Sequence, residues 1–340
     1  MAKGVRLSER LEIAVFGAGR MGRVHGQNVT RHPAARVRYV VDVDTKSAQA
    51  LAAATGAEVA SVETVLADKA VRAAIITTPT PSHLDLIVGC AHMGKAIFCE
   101  KPIDLSIARV NECLAAVERA RVPFAVGFQR RFDPTFRALK HAVDAGAIGT
   151  VEVVRITSRD PKPPPHSYVA SSGGLFRDMM IHDFDMANWF LGEPTTMVFA
   201  TGSCLVDPEI AKFGDVDTGI AVLRTASGKL CHIDNSRHAA YGYDQRIEVF
   251  GSKGLLQAGN QTATTMQLWN ERGVTSDKAL PFFPERYVEA YAAEIAHFID
   301  AVSHGTPVEV GGEAGRASLA LADAAQKSRD SGQPVTPSNG

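Results

Sequence analysis

The sequence predicts two domains, an α/β domain with a doubly wound parallel sheet and an α+β domain with a mostly antiparallel sheet. Its 340 residues exceed what one typical core organises, which favours two domains. In residues 1–128, short apolar strands alternate with helices, as they do in doubly wound parallel sheets. In residues 129–340, several strand-like runs follow one another without intervening helices, which indicates antiparallel pairing.

The elements of the first domain follow from apolar runs and the turn residues that separate them. Strands are predicted at 12–16, 36–41, 58–60, 71–77, 95–99 and 122–128. Helices are predicted at about 21–30, 47–54, 61–67, 82–93 and 106–121. The prolines of Thr77-Thr78-Pro79-Thr80-Pro81 end the fourth strand, because proline cannot donate a hydrogen bond to a sheet.

The second domain opens with a helix predicted at about 134–145 and an alternating strand from Thr150. A proline-rich loop, Asp160 to His166, precedes a helix predicted from Gly173 to Gly192. Further strands are predicted at about 195–205, 215–225, 229–237, 244–250 and 264–270. Two helices, at about 285–303 and 312–330, follow these strands and are placed where they can pack back on the first domain.

Composition narrows the class of protein. The chain is 45% hydrophobic and 21% charged with a net charge of −1, which is typical of a soluble globular protein. There is no basic patch of the kind that binds nucleic acid, and no apolar stretch approaches the ~20 residues that span a bilayer. We therefore expect neither a nucleic-acid nor a membrane partner.

The N-terminus and the cysteines predict the compartment. The first ten residues, MAKGVRLSER, lack the apolar core and cleavage site of a secretory signal. The five cysteines are odd in number and scattered, which favours a reducing, cytoplasmic location over a disulfide framework. No spacing of cysteine and histidine residues matches a metal site, so no metal is expected.

A glycine motif follows the first predicted strand. Gly17, Gly19 and Gly22 form G-x-G-x-x-G, with Arg20 and Met21 inside the motif at the start of a predicted helix. Such glycines permit a tight turn, a close approach of the backbone to a pyrophosphate, and close packing of helix on strand. The helix N-terminus offers unpaired N–H groups to the phosphates. In this context the motif predicts a Rossmann dinucleotide-binding domain.

Asp42 addresses the choice of cofactor. It ends the second predicted strand, 20 residues after Gly22, where an acidic side chain accepts hydrogen bonds from the adenosine ribose. A carboxylate would repel the 2′-phosphate of NADP, so NAD is the predicted cofactor. Arg20 and Lys46 are cations that could contact such a phosphate, and they leave NADP open as the less favoured alternative.

Two further segments end strands at the same predicted edge of the sheet, where ligands bind in parallel α/β sheets. The threonine hydroxyls of the Thr77–Pro81 segment line this edge, although a plain turn explains them equally well. Glu100-Lys101-Pro102 places a lysine directly before a proline at the end of the fifth strand. Lys101 is thereby held at the cofactor edge, and a surface ion pair is the alternative.

The predicted helix Gly173–Gly192 carries two stripes. One is apolar and consists of Met180, Phe184, Ala187 and Leu191. The other consists of Asp178, His182, Asp185 and Trp189. Asp178 and His182 lie one turn apart on a continuous helix, so the carboxylate can orient the imidazole as a general base. A structural histidine with a capping aspartate is the alternative.

Several of these motifs occur together in one known family. The glycine turn, Glu100-Lys101-Pro102, GFQRRFDP at 127–134, and Asp178 followed by His182-Asp183 resemble the oxidoreductases that include glucose–fructose oxidoreductase and inositol dehydrogenase. SRDPKPPP, IHDFDMANWFLG and YGYDQR resemble most the inositol 2-dehydrogenase branch. The resemblance extends from about residue 11 to 330.

The resemblance implies a second domain with a large, mostly antiparallel open sheet that covers the nicotinamide and packs in homo-oligomers, commonly homotetramers. It implies that His182 is the general base, that Asp178 orients it, and that Lys101, from the other domain, holds the reacting hydroxyl. It implies substrate contacts at Lys101, Arg130, Asp160, Asp178, His182 and Tyr243. It implies cofactor contacts at Thr78, Pro79, His83, Glu100, Lys101 and Gln129, beside the glycine loop and Asp42. Asp185 and Trp189 receive structural roles.

The implied reaction is NAD-dependent oxidation of a ring secondary alcohol in a small polyol or sugar, with conversion of myo-inositol to 2-keto-myo-inositol favoured. Residues 166–172 depart from the branch pattern, so an aldose or another inositol isomer stays open as the substrate. Some relatives of this fold are non-catalytic, dinucleotide-dependent regulators. The joint presence of Lys101, Asp178 and His182 argues against that class.

Overall fold

The computed structural model describes residues 10–338 and 340. The first ten residues, for which no secretory signal was predicted, therefore lie outside the described residues except for Arg10. The chain divides into two compact units. One comprises the described residues up to Gln129 together with Tyr291–Arg316, and the other comprises Arg130–Ala290 and the described residues from Ala317 onwards. Within the described ranges, no helix combines the length and apolar character that crossing a membrane requires.

The first unit contains a six-stranded parallel sheet. Its strands are β1 (Leu11–Phe16), β2 (Ala35–Val41), β3 (Glu58–Val59), β4 (Val71–Ile76), β5 (Ala96–Glu100) and β6 (Phe124–Gly127). Their order is β3-β2-β1-β4-β5-β6, and each neighbouring pair is parallel. The order reverses beside β1, where doubly wound sheets bind ligands at the carboxyl edge. The predicted parallel sheet is confirmed.

The second unit contains another six-stranded sheet. Its strands are β7 (Val151–Arg159), β8 (Thr195–Ser203), β9 (Thr218–Thr225), β10 (Leu230–Ser236), β11 (Asp244–Gly251) and β12 (Gly254–Ala258), in the order β12-β11-β7-β10-β9-β8. Every neighbouring pair is antiparallel except β7 with β10. The mostly antiparallel sheet is thus confirmed. A separate hairpin pairs β13 (Gln267–Asn270) with β14 (Gly273–Ser276).

Helices flank both sheets. Those of the first half are α1 (Arg20–Arg31), α2 (Thr45–Thr55), α3 (Val62–Ala67), α4 (His83–His92), α5 (Ile107–Ala120) and α6 (Pro134–Asp144). Those that follow are α7 (His166–Ser172), α8 (Gly174–Asp178), α9 (Ile181–Leu191), α10 (Phe283–Arg286), α11 (Val288–His304) and α12 (Gly312–Ser331). The prediction missed β12, β14, α7 and α10, all of which are short.

The core of the first unit joins its sheet to a helix from late in the chain. Val15, Ile75 and Phe98 of the central strands are fully buried in one apolar cluster with Ile295 and Phe298 of α11. Burial of such side chains contributes about 1.5–3 kcal/mol each. This core fixes the carboxyl ends of β1, β4 and β5, which carry the predicted cofactor residues.

The predicted helix Gly173–Gly192 is wrong as a single element. Gly173, with φ +87°, ends α7, and α8 then stops at Asp178. The Met180 N–H donates to the Leu175 carbonyl, five residues back, and this π-type turn shifts the helical register before α9 begins. Asp178 and His182 therefore do not lie one turn apart on a continuous α-helix.

The structure confirms only one of the two predicted helix stripes as a face of uniform character. The apolar stripe is confirmed, because Met180, Phe184, Ala187 and Leu191 are all buried. The second stripe is not a single exposed face, since Asp185 is also buried. Its carboxylate accepts hydrogen bonds from Nε and Nη2 of Arg131, whose guanidinium lies 5.8 Å from the ring centre of Trp189. Asp185 and Trp189 thus have the structural surroundings that the sequence predicted for them.

Candidate active site

The glycine turn has the geometry that a dinucleotide requires. Gly17 has φ +96°, in the region where only glycine is comfortable, and a Cβ there would lie 2.7 Å from the Thr77 backbone. A Cβ on Gly22 would lie 1.9 Å from the Gly17 carbonyl oxygen, so helix and turn pack too closely for a side chain. A Cβ on Gly19 would meet nothing within 4 Å, which leaves open space above the turn.

The start of α1 completes this turn. Gly19 precedes α1, and no side chain caps the helix, so its first N–H groups remain available to phosphate oxygens. Arg20 is exposed and Met21 half-buried in the first helical turn. The open space beside Gly19 and this helix terminus together fit the pyrophosphate of a dinucleotide.

Asp42 lies directly beside the turn. One oxygen of its carboxylate accepts the Ala18 N–H at 2.5 Å, and the other accepts the Asp44 N–H at 2.8 Å. A carboxylate offers about four lone-pair sites, so these two bonds leave acceptor capacity for ribose hydroxyls. Asp42 therefore has the position that the sequence predicted for it, and it also ties the second strand to the glycine turn.

Two residues support the turn from β4 and α4. The Thr77 hydroxyl lies 3.0 Å from the carbonyl oxygens of Phe16 and Gly17 and can donate a hydrogen bond to either. His83 is buried, and its two ring nitrogens lie 2.9 Å from the Thr78 carbonyl and 3.0 Å from the Pro102 carbonyl. His83 therefore links the segment after β4 to the segment after β5, and its predicted contact with the cofactor stays a prediction.

The segment after β5 has a buried partner that the sequence reading missed. His25 of α1 is fully buried, and its Nε2 lies 2.7 Å from Oε1 of Glu100. A Cβ on Gly127 would lie 2.9 Å from the same carboxyl group, so a side chain there would displace this carboxyl group. His25 could have been found as a polar residue on the buried face of α1. Lys101 is half-buried beside Glu100, and Gln129 is buried at the end of this unit.

In the second unit, Arg130 lies in a buried network with Asp183 and Ser158. Its side chain is only 4% exposed, and its guanidinium donates to Asp183 at 2.5 Å and to Ser158 at 3.1 Å. Asn235 donates to the other oxygen of Asp183. Burial raises the pKa of Asp183, and the Arg130 charge together with these hydrogen bonds opposes that shift. Arg130 thus lies in a buried ion pair, and a substrate contact through it stays a prediction.

Asp178 lies at the end of α8 with two partners that come from other elements. The Tyr168 hydroxyl of α7 donates to its Oδ1 at 2.8 Å, and Nη2 of Arg237, which follows β10, lies 3.5 Å from its Oδ2. His182 is half-buried in the first turn of α9, next to the buried Asp183. Neither Tyr168 nor Arg237 belongs to a motif, and no spacing in the sequence pointed to them.

Asp160 and Tyr243 remain as candidate substrate residues. Asp160 is half-buried at the end of β7, where its N–H donates to the Ser236 carbonyl. Tyr243 is buried edge-on against Phe282 and Tyr287. Burial raises its pKa well above the ordinary tyrosine value, and the Asp160 charge acts in the same direction. Its hydroxyl therefore stays protonated and can donate.

No cluster of histidine, cysteine, aspartate or glutamate within the described part of the chain is arranged to hold a metal. All five cysteines are free. The chemical groups that the structure offers are a dinucleotide turn, a lysine, and a carboxylate near a histidine in sequence. These are the groups of an enzyme that transfers hydride between a nicotinamide and an alcohol.

Comparison with known families agrees with this description. Residues 11–128 match the oxidoreductase family with an NAD-binding Rossmann fold, and residues 136–257 match the GFO/IDH/MocA C-terminal domain. The chain belongs to the GFO/IDH/MocA family of oxidoreductases, and the resemblance drawn from its motifs is confirmed. It is an NAD-dependent oxidoreductase of the class that acts on CH–OH donors.

Individual relatives indicate the branch of the family that this chain resembles most. The chain is 48% identical to an inositol 2-dehydrogenase of Rhizobium meliloti (strain 1021), over 94% of this chain and 96% of the relative. It is 45% identical to a myo-inositol 2-dehydrogenase of Thermotoga maritima, over 96% and 98%. A crystal structure of a myo-inositol dehydrogenase from Corynebacterium glutamicum superposes with a TM-score of 0.92 at 42% identity, over 96% of this chain and 98% of that one. The inositol 2-dehydrogenase branch is therefore supported along nearly the whole chain.

Proposed function

We propose that this enzyme oxidises a ring secondary alcohol of a cyclic polyol, with myo-inositol as substrate and 2-keto-myo-inositol as product. The observation that carries the proposal is the presence of Lys101, Asp178 and His182 in a chain 48% and 45% identical to relatives described as inositol and myo-inositol 2-dehydrogenases.

The cofactor residues fall in the first unit. The N–H groups at the start of α1 and the open space at Gly19 would hold the pyrophosphate, and Asp42 would accept the ribose hydroxyls. The further candidate contacts are Thr78, Pro79, His83, Glu100, Lys101 and Gln129. When bound, NAD supplies the acceptor for the hydride that leaves the alcohol carbon.

In the proposed reaction, His182 takes the proton of the reacting hydroxyl. Asp178 fixes the tautomer of the imidazole and stabilises the imidazolium that forms. Lys101 stabilises the negative charge that develops on the alcohol oxygen. Removing the base costs on the order of 10²–10⁴ in rate. His182→Ala should therefore lower kcat by about that factor, and unchanged turnover would show that another group is the base.

The hydroxyls that do not react must also be satisfied, because an unpaired buried polar group is costly. Asp160 and Tyr243 are the candidates in the second unit. Burial keeps the Tyr243 hydroxyl protonated, so it can donate a hydrogen bond to a substrate hydroxyl. Arg130 pairs with Asp183, the residue after His182, and stays a further candidate for a substrate contact.

We also propose a homo-oligomer, with a tetramer favoured. The open face of the second sheet supports it, because pairing register places exposed apolar side chains on one face across several strands. These are Phe199, Ile220, Leu230 and Phe250. A sheet face that exposes several large apolar side chains is typical of an association site. Light scattering should give a mass four times that of the chain, and Ile220→Lys should lower it.

One screen tests the substrate and the cofactor together. Reduction of NAD and NADP is measured against myo-, scyllo- and chiro-inositols, glucose, galactose and xylose. The proposal expects the highest kcat/KM with myo-inositol and NAD. Strong turnover with sugars alone would replace the inositol assignment by an aldose dehydrogenase. NADH formation with none of these alcohols would favour a dinucleotide-dependent regulator.

A further inference from the structure

The carboxylate of Asp178 is held from both sides within the second unit. The Tyr168 hydroxyl donates to Oδ1 at 2.8 Å, and Arg237 Nη2 faces Oδ2 at 3.5 Å. The three residues come from α7, α8 and the segment after β10, so the arrangement exists only in the folded chain. A hydroxyl on one oxygen and a cation beside the other fix both the plane of a carboxylate and its charge.

Arg237 is an unusual residue to find in this position. It is 1% exposed, and its Nε and Nη2 have no hydrogen-bond partner among the described residues. A buried guanidinium without full hydrogen bonding is costly unless nearby charges compensate it. Besides Asp178, the compensating charge within reach is Asp215, whose Oδ2 lies 4.0 Å from Nη2.

The surroundings fix Arg237 in this place. Its backbone N–H donates to the Asp217 carbonyl at 2.8 Å. Asp215 is tied to the start of α8, because its Oδ1 accepts the Leu175 N–H at 2.8 Å. Arg237 therefore lies between one carboxylate that is anchored to the backbone and a second one, Asp178, that ends α8. The fixed position of Asp215 keeps the Arg237 guanidinium beside the Asp178 carboxylate.

We propose that Tyr168 and Arg237 are positioning residues for the reaction, which hold Asp178 ionised and oriented so that it can act on His182. The proposal rests on the proposed function, because it assigns both residues to the support of the base. Tyr168 is partly exposed, but desolvation of its hydroxyl and the charges of Asp178 and Asp160 raise its pKa, so the hydroxyl remains a donor near neutral pH. Arg237 favours the charged form of Asp178 through its own charge.

Tyr168→Phe tests the hydroxyl. The ring is 47% exposed, so loss of the hydroxyl leaves the core intact. We expect kcat to fall roughly tenfold, since a hydrogen bond to a charged group is lost. The primary deuterium isotope effect with carbinol-deuterated substrate should rise because the chemical step becomes slower. The Kd for NADH should stay unchanged.

Tyr241→Phe is the matched control. Tyr241 is 42% exposed and donates to a carboxylate, that of Asp244 at 2.5 Å, so the same chemical change is made at another place. A change of the isotope effect in this control equal to that in Tyr168→Phe would contradict the proposal, because any lost tyrosine–aspartate bond would then suffice.

Arg237→Met and Arg237→Lys test the cation. We expect kcat to fall by about 10²-fold in the first and to recover partly in the second, since lysine retains the charge. Arg286→Met is the control for loss of a buried arginine, because Arg286 is 4% exposed and paired with Asp133. It should lower the melting temperature without raising the isotope effect. If Arg237→Met does not fold, Arg237→Lys and Tyr168→Phe carry the test.

The outcomes separate the two proposals. If the wild type oxidises a polyol but Tyr168→Phe and the folded Arg237 variant keep kcat within twofold and the same isotope effect, the positioning role is wrong and the proposed function stands. If the wild type oxidises no polyol, the proposed function fails. Crystal structures of the variants then decide the positioning role, since an Asp178 carboxylate that keeps its wild-type orientation would overturn it.

Discussion

The glycine turn of the first unit and the segment His166–Leu191 of the second both carry predicted functional residues, but they hold them by different means. In the turn, the function depends on backbone geometry, since Gly17 needs a positive φ and Gly22 has no room for a Cβ. In the segment 166–191, the function depends on side chains whose partners are remote in sequence, as Arg237 is from Asp178.

This difference explains why the two regions differ in how well a sequence describes them. A backbone turn has a fixed spacing of glycines, so its pattern and its geometry are the same information. A side-chain arrangement depends on contacts between elements that are far apart along the chain. The comparison predicts that single changes in the turn act on folding or cofactor binding. It also predicts that changes around Asp178 and His182 act through partners.

Gly22→Ala should have the largest effect and tests the backbone side of the comparison. The added Cβ would lie 1.9 Å from the Gly17 carbonyl oxygen, so α1 must move away from β1. We expect a loss of about 3 kcal/mol or more of the free energy of unfolding, or no folded protein. Urea unfolding followed by circular dichroism measures it.

Gly19→Ala is the control for this change. A Cβ there meets nothing within 4 Å, so stability should stay within about 0.5 kcal/mol. The Kd for NAD should nevertheless rise, because the Cβ enters the space left for the pyrophosphate. Equal stabilities of the two variants would show that the turn is not set by close packing.

Arg130→Met should have the next largest effect. It tests the part of the comparison in which the structure depends on contacts between side chains. Removing one partner of a buried ion pair leaves Asp183 uncompensated, which costs about 3–5 kcal/mol. Lys212→Met is the control, since Lys212 pairs with Glu209 at the surface and should contribute less than about 0.5 kcal/mol. If the KM for the polyol rises while the free energy of unfolding stays unchanged, the direct substrate contact that the sequence implied would be supported instead.

The fold was largely predictable because strong periodic signals place most of its elements. The parallel order follows from alternation of strands and helices, and the mostly antiparallel sheet follows from consecutive strands. The break between α8 and α9 was not predictable, because Met179 and Met180 suit an α-helix and a π-type turn alike. Short elements such as β12 gave no signal strong enough to separate them from turns.

The site was predictable only where a motif fixes it. Gly17, Gly22 and Asp42 are found where their spacing placed them. The ion pair of Arg130 with Asp183 could not be predicted, because it depends on the packing of α9 against β7 and β10. Burial of this kind is a tertiary property that the two adjacent arginines in GFQRRFDP do not encode.

Asp217→Asn tests a buried carboxylate in the residue whose backbone carbonyl accepts the Arg237 N–H. Asp217 is buried, which opposes its ionisation, but the N–H groups of Asp207, Leu205 and Val206 together hold its pKa below the ordinary aspartate value. Its stabilisation is therefore present above the ordinary pKa of about 3.9 and is lost as pH falls through the lowered pKa. We expect the variant to lose about 1–3 kcal/mol at pH 7.

Urea unfolding at several pH values checks this sign. The difference between wild type and Asp217→Asn should be full near neutral pH and should shrink in acid as the wild-type carboxylate becomes protonated. Glu209→Gln, an exposed acid on the same stretch of chain, should lose less than about 0.5 kcal/mol. A difference that grows on acidification would mean that Asp217 is not stabilised as the carboxylate.

Asp42→Asn should have the smallest effect, and it asks whether one side chain in the backbone-defined turn carries information of its own. The amide oxygen can still accept the Ala18 N–H, so the turn keeps its shape, but the charge that repels a 2′-phosphate is gone. We expect the ratio of kcat/KM for NADP to that for NAD to rise roughly fivefold, since one unfavourable charge contact of about 1 kcal/mol is removed.

Asp44→Asn is the matched control, because Asp44 is a carboxylate two residues on that caps α2. If both variants shift the ratio equally, net charge near the site decides cofactor choice and Asp42 has no special place. If only Asp42→Asn shifts it, the turn selects the dinucleotide through its glycines and distinguishes NAD from NADP through this one carboxylate.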